Sequence, residues 1–286
     1  MCDIAIIIPH HNDVPRLVRC LAALLPQVDS GVEVVVIDNA STDSLDAVHT
    51  AWPDLRIVVE PTKGAAHARN RGVAVTTAPI LAFIDSDCLP APDWVAAVRR
   101  AAPKGDLIGG RVDVFDETAL PRSGAQAFET VFAFDFRTYV ERKGFSGSGN
   151  LVTRREVFAA TGGFRHGLSE DLDWCHRATG RGFRLVYDDA LRVSHPTRTD
   201  WPALSRKWRR LTDEGFGVNG ATPARRAVWA TRALLMPASI VAHTPRVLRH
   251  PALSATERAR ALATLARVRL TRMAWMLGQA VRPPSR

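Results

Sequence analysis

Ile80-Leu81-Ala82-Phe83-Ile84-Asp85-Ser86-Asp87 is the stretch on which the reading of this chain turns. Five consecutive apolar residues, aromatic and β-branched ones among them, suit a strand buried on both faces, as in a parallel sheet covered by helices. The run ends at two carboxylates flanking one residue. Alternation along an extended backbone sends both to one face, where hard oxygen ligands can hold Mg²⁺ or Mn²⁺. Taken alone, the triplet also describes a solvated turn, so its meaning depends on what the rest of the chain brings beside it.

Upstream, the same pattern repeats. Ile4 to Ile8 is a strand-like run closed by Pro9, and a helix is predicted after it, capped by Asp13, with Pro15 in its first turn and Leu17, Val18, Leu21, Leu24 and Leu25 at helical spacing. Glu33 to Ile37 is a second strand, followed by the polar turn Asp38-Asn39-Ala40-Ser41-Thr42-Asp43 and a short helix over Ser44 to Trp52. Leu55 to Val59 is a third strand and Ala65 to Thr76 a helix. This alternation predicts a doubly wound α/β sheet, whose ligands sit beyond the carboxyl ends of the strands. Pro9-His10-His11-Asn12, the Asp38 turn and Asp85-Ser86-Asp87 all fall at that end.

Downstream the pattern loosens. A helix is expected over Asp93 to Ala102 and a strand over Leu107 to Phe115, while Ser123 to Arg142 shows no regular period. Gly144, Gly147, Gly149, Gly162, Gly163 and Gly167 then surround a helix starting near Arg154, consistent with backbone turning tightly beside a ligand. A helix over Asp171 to Thr179 and two short strands, Arg184 to Tyr187 and Leu191 to Ser194, lead to His195.

The chain has 286 residues and a formal charge of +9, which would suit a nucleic-acid binder if the charge were spread over a surface. It is not: from residue 221 onward there are twelve arginines, ending with Arg282 and Arg286, against one acid, Glu257. Interleaved with them are Val228, Leu234, Leu235, Ile240, Val241, Leu262, Leu265, Val268, Leu270, Trp275 and Leu277, a composition that suits basic amphipathic helices at an anionic membrane surface. The other reading of this tail is a helical cover with its arginines in water. No apolar run is long enough to span a bilayer, the four cysteines have no paired spacing, and no leader is read at the N-terminus, so a cytoplasmic setting is expected, peripheral to the inner face of the cell membrane.

The order and spacing of Pro9-His10-His11-Asn12, Asp38-Asn39, Gly64 through Ala68-Arg69-Asn70-Arg71-Gly72, Asp85-Ser86-Asp87, Gly149-Asn150, Gly162-Gly163-Phe164, Glu170-Asp171-Leu172-Asp173-Trp174 and His195 resemble glycosyltransferase family 2 over roughly Ile4 to Pro196. The resemblance implies a GT-A fold, a Rossmann-like, mostly parallel central sheet, with a catalytic domain over 1–200 and a helical basic extension over 201–286. Its nucleotide-sugar half would be about 1–100 and its acceptor half about 101–200. It implies an inverting enzyme moving a sugar from a nucleotide-diphosphate donor to a hydroxyl of a glycan, lipid-linked or small-molecule acceptor, with Mn²⁺ or Mg²⁺ and no nucleic-acid partner.

Through that resemblance, donor binding falls to Pro9, His11, Asn12, Asp38, Arg69, Asp85, Ser86 and Asp87, with Asp38 accepting from the base and the His11 ring stacking on it where members usually have tyrosine. Asn39 stands where the family often has a second aspartate. Arg69 has two readings, a donor contact reinforced by its helix N-terminus or an ion pair with an acid from a neighbouring loop. Asp171, with Glu170 beside it, is implied as the general base. Gly149, Asn150, Asp173 and Trp174 are implied at the acceptor, and Asp87, His195 and Asp85 at the metal. Two other readings are weaker. A sugar-phosphate nucleotidyltransferase should carry a glycine-rich, lysine-bearing loop where Pro9-His10-His11-Asn12 stands, and a non-catalytic nucleotide-sugar or nucleic-acid binder has no need of carboxylates at both Asp85-Ser86-Asp87 and Glu170-Asp171.

Overall fold

The computed structural model describes residues 2–167, 169–219 and 222–281. The elements run β1 (Ile4–His10), α1 (Val14–Leu24), β2 (Val32–Asp38), α2 (Asp46–Ala51), β3 (Arg56–Val59), α3 (Ala65–Val75), β4 (Ile80–Ile84), β5 (Leu89–Pro90), α4 (Trp94–Ala101) and β6 (Leu107–Phe115). They continue as α5 (Gly124–Phe132), α6 (Phe136–Lys143), β7 (Asn150–Arg154), α7 (Arg155–Thr161), α8 (Glu170–Thr179), β8 (Leu185–Pro196), α9 (Trp201–Asn219), α10 (Pro223–Leu234), α11 (Met236–Leu248) and α12 (Ala255–Val281). Two compact units result: residues 1–113 with 135–195, and residues 114–134 with 196–286.

In the first unit the eight strands take the order β3-β2-β1-β4-β7-β6-β8-β5. β1 pairs in parallel with β2 and β4, and β2 with β3; β7 then joins β4 antiparallel, placing Asn150 opposite Ile84 at the threshold of Asp85. Ile4 to Ile8 are without solvent exposure because helices cover both faces. Ile4, Ile6 and Ile8 pack with Leu17 and Leu21 of α1 and Val98 of α4, while Ala5 and Ile7 pack with Ala68 of α3 and Trp174 of α8. Each fully buried isoleucine or leucine contributes about 1.5–3 kcal/mol relative to exposure. α3 approaches β1 so closely that a Cβ on Gly72 would lie 2.3 Å from Ile7 Cγ2. Asp13 caps α1 as expected, accepting from Arg16 N.

Three stretches differ from the sequence reading. Ser123 to Arg142 holds two helices. The first has a full capping box between Ser123 and Gln126, and the second is capped by Asp135 and closed by Gly144 at φ +71°. Residues 185–196 form one strand instead of two, because Asp188, which breaks the apolar pattern, is neutralised within it by Lys104 at 2.6 Å. β7 is an additional strand of five residues hidden behind the glycines.

The second unit is helical. Ala125, Phe128 and Val131 of α5 pack with Leu204, Val247, Leu265 and Val268, and a smaller cluster joins Phe216, Trp229, Ala233 and Met276. Glu129, 1% exposed, sits inside this unit because Arg198 (2.9 Å) and Lys207 (2.8 Å) close on its carboxylate. Several tail arginines are internal ties: Arg226 donates to the Ala280 carbonyl, Arg260 to that of Arg122, and Arg272 lies over the Trp208 ring. Arg282 and Arg286 lie outside the described residues. Among the described residues no helix is long and apolar enough to cross a membrane.

Glu257 accepts from the backbone N–H groups of Arg122 and Ser254, and these bonds hold its carboxyl at about 2, below its ordinary value of about 4.5. A depressed carboxyl adds stability that is present above the unfolded value and lost as pH falls through the folded one. The second unit should therefore lose stability between pH 4.5 and about 2, and Glu257→Gln should flatten that loss. Urea midpoints measured across this range for both proteins check it.

Candidate active site

The site forms where β1, β2 and β4 end. β1 delivers Pro9 and then His10, which is in register with Asp38 at the end of β2. Beyond them two loops are stitched together. Asn12, at φ +48°, accepts through Oδ1 from Thr42 N (2.7 Å) and Asp43 N (3.2 Å), and the exposed His11 ring meets the Asn39 carbonyl at 2.9 Å through Nδ1. Asn39 is buried; its amide donates to the carbonyls of Glu60 and Thr62 and accepts from Gly64 N. Asn39 is thus a clamp on the loop that starts α3, and Asn12 a clamp between the β1 and β2 loops. Asp38, 9% exposed, accepts from Ser41 N at 3.3 Å.

Arg69 of α3 joins the donor-side and acceptor-side motifs. Its guanidinium bonds Asp85 Oδ1 at 2.6 Å and Glu170 Oε1 on α8. The side chain is 6% exposed; burial alone would lower its affinity for a proton, but Asp85, Asp171 and Glu170 more than offset this and keep it charged. Of its two sequence readings, the geometry realises the ion pair. Gly149 is required by the same cluster: a Cβ there would stand 2.6 Å from Asp85 Oδ2.

Asp171 follows in the first turn of α8, near Arg69 and Asp85. Its Oδ1 is buried without a hydrogen-bond partner, and the polar groups of Ser148 beside the carboxylate favour its charged form. Burial pushes its carboxyl above the ordinary carboxylate range, against the pull of Arg69 and Ser148; burial likewise raises Glu170. Ser148 had no distinguishing signal in the sequence. His10, beside His11 in the same motif, is 1% exposed, neither ring nitrogen has a partner among the described residues, and burial keeps it neutral.

Asp87 and His195 meet across the pairing of β5 with β8, which sets Leu89 against Ser194; Asp87 Oδ2 and His195 Nε2 are 3.2 Å apart. A carboxylate and an imidazole at this separation would fit as part of the ligand set of a divalent cation such as Mn²⁺ or Mg²⁺. No group of three metal-ligating side chains occurs among the described residues. Asp85, expected at the metal as well, has its Oδ1 paired with Arg69, and its side chain keeps 36% exposure. Ser86 stands half-buried between the two carboxylates.

Two of the expected acceptor residues, Asn150 and Trp174, are closed inside the fold. Asn150 has no exposure: its amide donates to the carbonyls of Arg111 and Leu191 and accepts from Trp94 Nε1, so it ties three strands and the α4 helix together. Trp174 is equally buried, stacked on Phe158 with its N–H on the Gly162 carbonyl. Asp173 turns to Arg177 at 2.8 Å. Asn150 and Trp174 are structural parts whose bonding capacity is used inside the fold, whereas the Asp173 side chain stays partly exposed.

The family profile described as glycosyl transferase family 2 matches residues 5–170, more than half of the chain. Glycosyltransferase AglE of Haloferax volcanii is 30% identical over 72% of this chain and 71% of its own. A pre-mycofactocin glycosyltransferase of Mycobacterium tuberculosis is 29% identical over 70% of this chain, which spans 45% of that protein. Among solved structures, the mannosyltransferase PcManGT from Pyrobaculum calidifontis, in complex with GDP-Man and Mn²⁺, superposes with a TM-score of 0.56 at 19% identity, covering 99% of this chain and 76% of that one. With its strand order, its carboxylates at the strand ends and this profile match, the chain belongs to glycosyltransferase family 2 and is a glycosyltransferase with a GT-A fold.

Proposed function

We propose that this enzyme transfers a sugar from a nucleoside-diphosphate donor to an acceptor hydroxyl by a single displacement that inverts the anomeric centre, as a step in glycan assembly. The observation that carries this is Asp171: a half-buried residue whose Oδ1 is buried and unpartnered, and whose carboxyl has a raised proton affinity. Asp171 takes the acceptor hydroxyl's proton while that oxygen bonds to the anomeric carbon and the bond from that carbon to the diphosphate breaks. A single base suffices for this, with no covalent intermediate. Arg69 fixes Asp85 and Glu170 around it and lends the pocket one compensating positive charge.

On the donor side, Asp38 accepts from the base and the exposed His11 ring stacks on it; residues 1–100 supply this half and 101–200 the acceptor half. Asp87 and His195 would hold Mn²⁺ or Mg²⁺, which would supply positive charge against the departing diphosphate. GDP-mannose with Mn²⁺ in the mannosyltransferase structure supports a donor of this class. The acceptor is a glycan, lipid-linked or small-molecule hydroxyl, met on the inner face of the cell membrane, where the helices of 201–286 hold the enzyme to anionic lipid.

A panel of nucleotide sugars tested by thermal shift with Mn²⁺ should yield a donor that raises the melting temperature. Asp87→Ala should weaken that donor about tenfold or more in calorimetry and abolish its metal dependence. If Mn²⁺ dependence survives the substitution unchanged, Asp87 does not hold the cation; if no nucleotide sugar stabilises the protein, the proposal of a nucleoside-diphosphate donor fails.

A further inference from the structure

The helices of the second unit differ in what they leave uncovered. The inner faces of α10 and α11 contribute Trp229, Ala233 and Val247 to the cores described above. Their opposite faces are apolar as well. On α10, Ala224, Val228, Thr231 and Leu235, just past its end, recur at the spacing of one helix face, and all are exposed. On α11 the exposed stripe is Ala238, Val241, Pro245 and Leu248. Val228, Leu234, Leu235, Val241 and Leu248 are 49–76% exposed, and large apolar side chains left bare in this density mark an interaction surface.

The charge around the stripe selects the partner. Exposed Arg225 and Arg232 flank it on α10, and Arg246 and Arg249 on and after α11. From Glu214 to Glu257 the sequence contains no other acid. A second copy presenting the same face would set arginine against arginine, whereas lipid headgroups bearing phosphate would neutralise them. Helices of 12 and 13 residues extend only about 20 Å at 1.5 Å per residue, too short to span a hydrocarbon core of about 30 Å. They can lie in its interface.

We propose that the outer face of α10 and α11, led by Leu234, Leu235 and Val241, inserts into the interfacial layer of a bilayer containing anionic lipid. This rests on the membrane-facing reading of the C-terminal helices and narrows it. α12 is not the anchor: Leu265, Val268 and Met276 are spent in the cores, and Arg260 and Arg272 are tied within the unit.

Flotation of the full chain with vesicles tests this. Binding is expected with vesicles of equal phosphatidylcholine and phosphatidylglycerol and at least about tenfold weaker with phosphatidylcholine alone. Leu234→Asp with Val241→Asp should cut binding about tenfold or more, as should Arg225→Glu with Arg232→Glu, while Leu270→Asp, an exposed position on α12, leaves it unchanged. Because all these side chains are exposed, thermal melts should match the parent. Absence of binding by the parent, equal binding by the double aspartate variant, or a dimer in light scattering that the same pair dissolves would each overturn the proposal. A nucleotide-sugar melting shift persisting in such a case would show that the lipid contact failed and the transferase reading did not.

Discussion

Asp171→Asn should leave donor affinity within about twofold of the parent and lower the turnover of transfer by about 10²- to 10⁴-fold, the range that a positioned base supplies. The asparagine keeps the volume and an oxygen for Ser148 but has no basic site for the acceptor's proton. Donor contacts are expected on other elements, at Asp38 on β2 and Asp87 beyond β4, so binding should not follow activity down. Burial raises the folded carboxyl above its unfolded value, so the rate in the parent should rise with pH across a range shifted upward from that of a solvated aspartate, and the variant should lose that limb. Calorimetry for donor binding and a pH series of initial rates check both halves. Equal loss of binding and turnover would remove Asp171 from the base role and make it part of the donor pocket.

The parallel half of the fold was legible because its signals are local. Ile4 to Ile8 and Ile80 to Ile84 can be buried on both faces only between helices, and each ends at the polar residues that build the site. The regions that resisted reading contain charged residues compensated by distant partners. Glu129 spoils the apolar period of α5 until Arg198 and Lys207, some seventy residues on, are seen to enclose it, and Asp188 does the same in β8 until Lys104 is found. The Ser123 and Gln126 capping box was a usable signal in the first case. At the site, residue types pointed to a common cluster but not to how each would bond. Nothing in the motif separates an asparagine that binds sugar from Asn150, which ties Arg111, Leu191 and Trp94, nor foretells that Arg69 pairs with Asp85. Those assignments depend on geometry between positions more than a dozen residues apart.

Arg69→Met should strongly destabilise the first unit. The methionine fills much of the buried volume but leaves Asp85, Glu170 and Asp171 as three neighbouring carboxylates with their shared cation removed. Breaking a buried pair from one side costs about 3–5 kcal/mol; because Asp85 is 36% exposed and screened, about 2–4 kcal/mol is expected at pH 7. The pH dependence supplies a sign. Without the arginine, burial and mutual repulsion should drive the folded proton affinities of Glu170 and Asp171 higher still, and a carboxyl raised in the folded state gains stability as pH falls. The deficit should therefore shrink between pH 7 and pH 5, measured as the difference in urea midpoints between parent and variant. Arg69→Lys, which keeps the charge but cannot reach Asp85 and Glu170 in two directions at once, should fall between them. A methionine variant as stable as the parent at pH 7 would mean that the three carboxylates do not depend on this residue, and the bridge between donor-side and acceptor-side motifs would lose its energetic basis.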